Sequence, residues 1–150
     1  MSMVGFAFCG MLSVFMPPPA NPASAPGQAI GQRLHLSADA QALLKRSCYD
    51  CHSNETHWPA YSRLWPASAL IYSDVSKARA TMNFSDWPAF EDPHQARRAA
   101  GSLMASCAAM QSRIMPRQQY MMLHPEAKVS AQDAQQFCAW TATAVAALRR

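Results

Sequence analysis

The sequence has little glycine and no long run in which β-branched residues alternate with polar ones. Five of its 150 residues are glycine, whereas alanine is plentiful. Alternation is the usual signal of half-buried strands, and alanine has the highest helix propensity. The composition therefore predicts an all-α fold.

A basic run with interleaved aromatic residues is also missing. The net charge is +4 and the pI is about 9.0, but the Lys and Arg residues are scattered along the chain. A concentrated basic patch is the usual mark of nucleic-acid binding, so we expect no nucleic-acid partner. A mildly basic surface suits contact with an acidic protein partner instead.

No Lys or Arg precedes the first apolar run, residues 3–16, which leads into the stretch PPPANPASAPGQ. This order is typical of a secretory signal followed by a linker, and we assign residues 1–33 to them. Export would place the protein in the periplasm. An uncleaved membrane anchor stays open, because Pro26 is a poor neighbour for cleavage after Ala23-Ser24-Ala25. The run is nevertheless short for a membrane span.

Residues 34–150 then form the folded domain, for which we predict four to five helices. Ser37 is a candidate N-cap for a helix through Lys45 to Cys48. Asp92 and Pro93 favour the start of a helix that runs to about Arg113, where Met115-Pro116 ends it. The other predicted helices cover 67–82, with Leu70, Ile71, Val75 and Ala78 on one side, and 131–148, capped by Ser130.

The segment Cys48-Tyr49-Asp50-Cys51-His52 carries the chemistry that the sequence predicts. It matches C-x-x-C-H, the attachment sequence of c-type haem. Two thiols about one helical turn apart can each add to a haem vinyl group. The histidine after the second cysteine can then bind the iron. We therefore predict one covalent haem c, held by Cys48 and Cys51, with His52 as an iron ligand.

Other uses of these cysteines fit less well. A thioredoxin-type redox pair goes with a βαβ pattern, and a structural zinc site needs four closely spaced ligands. Cys107 and Cys138 are far along the chain from Cys51. They form either a disulfide or two buried free thiols, while Cys9 is a lipid-attachment site or inert.

The second iron ligand is less evident from the residues alone. Met115 stands out among ten methionines because Pro116 follows it in an irregular segment, where a chain can approach the iron. His/Met ligation is one arrangement that cytochromes of this kind use. The alternatives are Met110, Met121, Met122, His57, His94 and His124.

Three strings of this sequence resemble a family of small bacterial haem-binding c-type cytochrome domains. They are CYDCHSNETHWPAYS, DVSKARATMNFSDW and IMPRQQYMMLHPEAKVS, and the resemblance covers about residues 35–141. It implies His52 as the proximal ligand and Met115 as the distal one. Arg117 and Ala60 depart from the family pattern, which has proline and an aromatic residue there. Cys107 and Cys138 are not part of that pattern.

Further residues of these strings are candidates for packing on the haem or for bonding its propionates. Ordinary loop anchoring explains them equally well. The stronger candidates are Asn54, Trp58, Tyr61 and Ser62, and the weaker ones are Tyr120 and Arg63.

We therefore expect a monohaem electron carrier rather than an enzyme, acting in an exported respiratory or dehydrogenase chain. Its partners would be redox proteins, and it could be free or a subunit of a larger oxidoreductase. Membrane association through the N-terminal apolar run is an open alternative. A peroxidase-like enzyme, with His57 or His124 as acid–base group, and a haem-based gas or redox sensor are the rival functions.

Overall fold

A computed structural model describes residues 15–148, which form an all-α domain with no strand. The one β-type pairing there is an isolated antiparallel bridge between Phe15 and Leu64. The α-helices of this part are α1 (Ile30–Arg33), α2 (Ala38–Ser47), α3 (Tyr49–His52), α4 (Ala67–Thr81), α5 (Pro93–Gln111), α6 (Gln118–Leu123) and α7 (Ala131–Leu148). Short 3-10 turns cover Ala60–Arg63 and Pro125–Ala127.

The four long helices lie where the sequence predicts them, because their ends carry local signals. Ser37 caps α2, and its hydroxyl accepts a hydrogen bond from the Ala40 amide at 3.2 Å. Asp92 caps α5 in the same way, with Pro93 in the first turn. Caps of this kind pair amide groups that have no partner inside the helix.

The predicted count of four to five helices is too low, because three short helices were not foreseen. Helices α1, α3 and α6 have four to six residues each, too few to show a helical period. The helix predicted through Lys45 to Cys48 ends at Ser47, and Cys48, with φ −130°, separates it from α3. Leu70, predicted on the buried side of α4, is 60% exposed.

The core lies mainly between α5 and α7, which form the most extensive helix pair. Helix α5 buries Ala99, Leu103 and Met110 at helical spacing. Phe84 is stacked between Tyr49 and Trp87, at ring-centre distances of 5.6 and 5.8 Å. This aromatic stack joins the core to α3, so the predicted haem-attachment segment rests directly on it.

A disulfide links α5 to α7 through Cys107 and Cys138. The sequence leaves open a disulfide or two buried free thiols at these positions, and the structure has the disulfide. The bond lies near the end of α5 that precedes Met115. It joins residues that are 31 apart in the sequence. The bond therefore lowers the conformational entropy of the unfolded chain and fixes this end of the helix pair.

The Pro/Ala-rich stretch that the sequence predicts as a linker lies along the domain. Gln28 accepts a hydrogen bond from the Trp87 amide, and the Ile30 amide donates one to Phe84. Ile30 is completely buried. The domain boundary at residue 34 and the signal segment stay predictions, and residues 1–14 and 149–150 lie outside the described part. No helix of residues 15–148 is long and apolar enough to cross a membrane.

Replacing both disulfide cysteines with serine should lower the free energy of unfolding by about 3 to 4 kcal/mol, from the loop-length dependence. Denaturant unfolding of the wild type and of Cys107→Ser/Cys138→Ser measures this difference. The wild type should fall to the level of the variant after thiol reduction. Equal stability of the two proteins without reductant would contradict the prediction.

Candidate haem site

The predicted attachment segment is a tight helical turn between α2 and α4. The amides of Cys51 and His52 both donate to the Cys48 carbonyl, at 3.2 and 2.9 Å. Both thiols are half-buried, and neither is bonded to another cysteine of the described chain. One turn of helix therefore presents two free thiols and an imidazole together.

Burial keeps both thiols protonated. It raises the pKa of Cys48 to about 12, with a smaller contribution from Cys51. It also raises the pKa of Cys51 to about 11, to which the nearby Asp50 and Asp74 add.

The His52 ring is held by two backbone carbonyls at the end of α4. Its Nδ1 lies 3.1 Å from the carbonyl oxygens of both Ala78 and Met82. A carbonyl oxygen can only accept, so Nδ1 carries the hydrogen. Burial lowers the pKa of His52, although the two backbone bonds oppose this. The neutral ring thus has an unprotonated Nε2, which has no hydrogen-bond partner among residues 15–148.

The backbone around His52 is fixed as firmly as the ring. The His52 carbonyl accepts a bond from the Phe84 amide at 2.7 Å, and the edge of one ring faces the other. Arg79, on α4, donates to the Ser53 carbonyl at 2.7 Å and to the Thr56 hydroxyl at 2.8 Å. Helix α4 therefore fixes both the direction of the imidazole and the chain that leaves it.

Asp50 connects this turn to the segment that carries Met115. Its carboxylate accepts a hydrogen bond of 2.7 Å from the Tyr120 hydroxyl, 70 residues further along the chain. Burial and this bond raise the pKa of Tyr120, so the phenol stays protonated. Arg117 forms a second link, an ion pair of 3.7 Å with Asp74 of α4.

Met115 lies between the end of α5 and these two links. It is half-buried, its amide donates to the Ala109 carbonyl at 3.2 Å, and the following Pro116 is buried. The other candidate ligands are placed differently. Met110 is buried in the core, and Met122 is 78% exposed. Met121 is half-buried, and His94 lies in the first turn of α5, where its amide donates to the Asp92 cap.

The two histidines proposed as acid–base groups have other surroundings. The His57 side chain is 94% exposed, 3.6 Å from Asp50. His124 Nε2 is 2.7 Å from the Tyr61 hydroxyl, and its Nδ1 is 3.1 Å from a Glu126 carboxylate oxygen. The His124 ring also stacks on Tyr120, at 4.3 Å between ring centres. His124 and Tyr61 therefore extend the network around Asp50.

The remaining candidates of the loop serve mainly as anchors. The Ser62 hydroxyl is buried and donates to the Pro59 carbonyl at 2.7 Å. Asn54 bonds Asn83 and Ser85, while Arg63 lies over the Phe15 ring. Trp58 packs edge-on against Tyr72, and its buried indole N–H has no partner within residues 15–148. A role of these residues toward haem stays a prediction.

A comparison with protein families identifies the kind of domain that carries this site. A family model described as a haem-binding domain matches residues 7–143, most of the chain. The chain belongs to this haem-binding family. No curated protein and no solved structure matches it.

The residues of the predicted attachment turn fit a haem. A ring nitrogen without a proton is what iron needs from histidine, and a second ring nitrogen bonded to a carbonyl is its usual support. Two free, protonated thiols lie within the same turn. Sequence reasoning did not single out Asp50 or Arg79. An acidic residue inside the C-x-x-C-H segment is the signal that could have drawn attention to Asp50.

The Asp50–Tyr120 bond should make the two residues energetically coupled. A hydrogen bond to a charged group is worth about 1.5 to 3 kcal/mol, so Tyr120→Phe and Asp50→Ala should show a coupling of about that size. Denaturant unfolding of the two single variants and the double variant measures it.

Tyr72→Phe is the matched control, because its hydroxyl donates to Met16 and not to Asp50. The changes in the free energy of unfolding caused by Tyr72→Phe and by Asp50→Ala should be additive to within about 0.5 kcal/mol. If the effects of Tyr120→Phe and Asp50→Ala on the free energy of unfolding were also additive, the hydrogen bond would not join the two segments.

Proposed function

We propose that this haem-binding domain is a monohaem c-type cytochrome that carries single electrons. Cys48 and Cys51 would attach the haem covalently, and His52 and Met115 would bind its iron. The protein would act in the periplasm with redox partners, either alone or as a subunit of a larger oxidoreductase. The observation that carries the proposal is the arrangement of His52, whose unprotonated Nε2 lies in one turn with two free thiols.

The surroundings of the thiols favour covalent attachment over a metal site, since residues 15–148 contain no group of three or more His, Cys, Asp or Glu that could hold a metal ion. The raised pKa values keep each sulfur as S–H. In the attachment reaction the S–H group adds across a vinyl C=C bond, so that sulfur binds one carbon and the hydrogen ends on the other. No oxidant is consumed. His52, held by the carbonyls of Ala78 and Met82, would be the residue that binds the iron through Nε2.

Bound haem supplies a one-electron couple between ferric and ferrous iron. The chain would then have to hold the two axial ligands in place. Electron transfer is fast when the positions of the ligands change little between the ferric and the ferrous state. Helix α4 does this for His52. The disulfide, the Tyr120–Asp50 bond and the Arg117–Asp74 pair do it for the segment with Met115. Ligation by Met raises the reduction potential relative to two histidines.

The arrangement of the other histidines favours a carrier over a peroxidase-like enzyme. An enzyme of that kind needs an open iron position with an acid–base group beside it. His57 is exposed to solvent, and both ring nitrogens of His124 are engaged by Tyr61 and Glu126. A sensor would need a ligand that leaves the iron, whereas Met115 lies between three fixed points.

The absorption spectrum of Met115→Ala tests the ligand assignment. The wild-type holoprotein should be low-spin in both oxidation states and, when oxidised, should show the weak far-red band of methionine bound to iron. The variant should lose this band and acquire high-spin features, because the sixth position becomes open. Its reduction potential should fall.

Met122→Ala is the control, since Met122 is largely exposed a few residues away. It should keep the far-red band. A wild-type spectrum that is high-spin and shifts when peroxide or carbon monoxide is added would contradict the carrier proposal. It would favour the enzyme or the sensor.

A further inference from the structure

Helix α5 ends in a tight turn that leads the chain to Met115. The Ile114 amide donates to the Ala109 carbonyl at 3.0 Å, and the Arg113 amide donates to the Met110 carbonyl at 3.1 Å. This pair of hydrogen bonds is the pattern of a Schellman motif, which closes the C-terminal end of a helix. The Met115 amide also donates to the Ala109 carbonyl, at 3.2 Å. The turn therefore extends to the predicted iron ligand itself.

Arg113 is the residue at which this turn becomes left-handed. Its φ is 57°, and no other residue of the described chain except glycine has a positive φ. Glycine usually occupies this position of a Schellman motif, because a Cβ atom crowds the following carbonyl in the left-handed region. The Arg113 side chain is exposed, so burial in the core does not offset this cost. An unfavourable backbone conformation thus lies two residues before Met115.

The chain is anchored on both sides of Arg113. Before it, the disulfide joins Cys107 of α5 to α7. After it, Pro116 is buried, and the Tyr120 hydroxyl donates to Asp50. Strained backbone conformations persist where the surrounding structure holds them in this way, and they are often found at functional sites. With both ends fixed, the direction of the chain at Arg113 decides where the Met115 side chain begins.

We propose that Arg113 is a positioning residue for the sixth iron ligand. Its left-handed backbone brings Met115 to the iron, and this conformation relaxes when Met115 leaves. The inference rests on the proposed cytochrome function, because it requires Met115 as the ligand. A residue that adopts a positive φ easily then strengthens the binding of Met115, and a residue that resists it weakens this binding. Arginine at this position makes Met115 easier to displace than glycine would.

Binding of imidazole to the ferric holoprotein measures how firmly Met115 is held, because imidazole can bind the iron only where Met115 has left. Arg113→Gly should bind imidazole about threefold more weakly than the wild type, since glycine adopts a positive φ without strain. Arg113→Val should bind it about tenfold more tightly, since a β-branched residue is least compatible with this region. Both variants lose the same charge, so their difference reports the backbone conformation.

Arg98 provides the matched control, because it is an exposed arginine inside α5. Arg98→Gly should lower the denaturant concentration at the midpoint of unfolding, since glycine destabilises the interior of a helix. Its dissociation constant for imidazole should nevertheless stay within about twofold of the wild-type value, as should that of Arg98→Val, because this site is distant in sequence from Met115. A general loss of stability would therefore not produce the opposite responses expected at position 113.

The wild-type spectrum separates failure of this inference from failure of the proposed function. If the wild type has the far-red band and Arg113→Gly and Arg113→Val bind imidazole equally well, Met115 is the ligand and Arg113 does not position it. If the wild type lacks the band, both the ligand assignment and this inference are wrong. Should Arg113→Val fail to fold, Arg113→Gly decides alone, and imidazole binding as tight as in the wild type or tighter would overturn the proposal.

Discussion

The pair of hydrogen bonds from His52 Nδ1 to the carbonyls of Ala78 and Met82 is the constraint on which the site depends. They select one tautomer and fix the ring plane, and they give a partner to the carbonyl of Met82, the residue that caps the C-terminal end of α4. Phe84 continues the same contact, since its amide bonds the His52 carbonyl and its ring packs on the core. His52 therefore joins the C-x-x-C-H turn to α4 and, through Phe84, to the aromatic core.

A second set of contacts fixes the segment that would face His52 across a haem. Tyr120 bonds Asp50 inside the C-x-x-C-H turn, and Arg117 pairs with Asp74 on α4. The disulfide holds the end of α5 from the other side. Each of these contacts joins parts of the chain that are far apart in sequence. Met115 thus lies on a short stretch whose two ends are tied down, which is what a constant iron–sulfur contact requires.

The sequence was most informative where the signals are local. Ser37, Asp92 and Pro93 each mark a helix start within one turn, so the long helices could be placed to within about two residues. The spacing of the C-x-x-C-H segment predicts haem binding, which is confirmed at the level of the family, while covalent attachment stays a prediction.

The features that sequence reasoning missed depend on contacts between distant residues. Nothing near Asp50 indicates that Tyr120 will meet it, and nothing near Gln28 indicates that Trp87 will bond its carbonyl. Leu70 has the right spacing for the buried side of α4 but is exposed. The stretch before residue 34 has the composition of a linker, yet it packs because Ile30 fills a place in the core. Amino-acid composition alone does not show that a residue of such a stretch will be buried in the core.

The measurement that tests the central claim most directly is mass spectrometry of the holoprotein after extraction with acidified organic solvent. Covalent attachment through Cys48 and Cys51 predicts that the haem stays with the protein and that, after proteolysis, it is found on the peptide containing Cys48–His52. Haem that passes into the solvent, leaving this peptide with two free thiols, would contradict the account. The chain would then be a haem-binding domain of another kind.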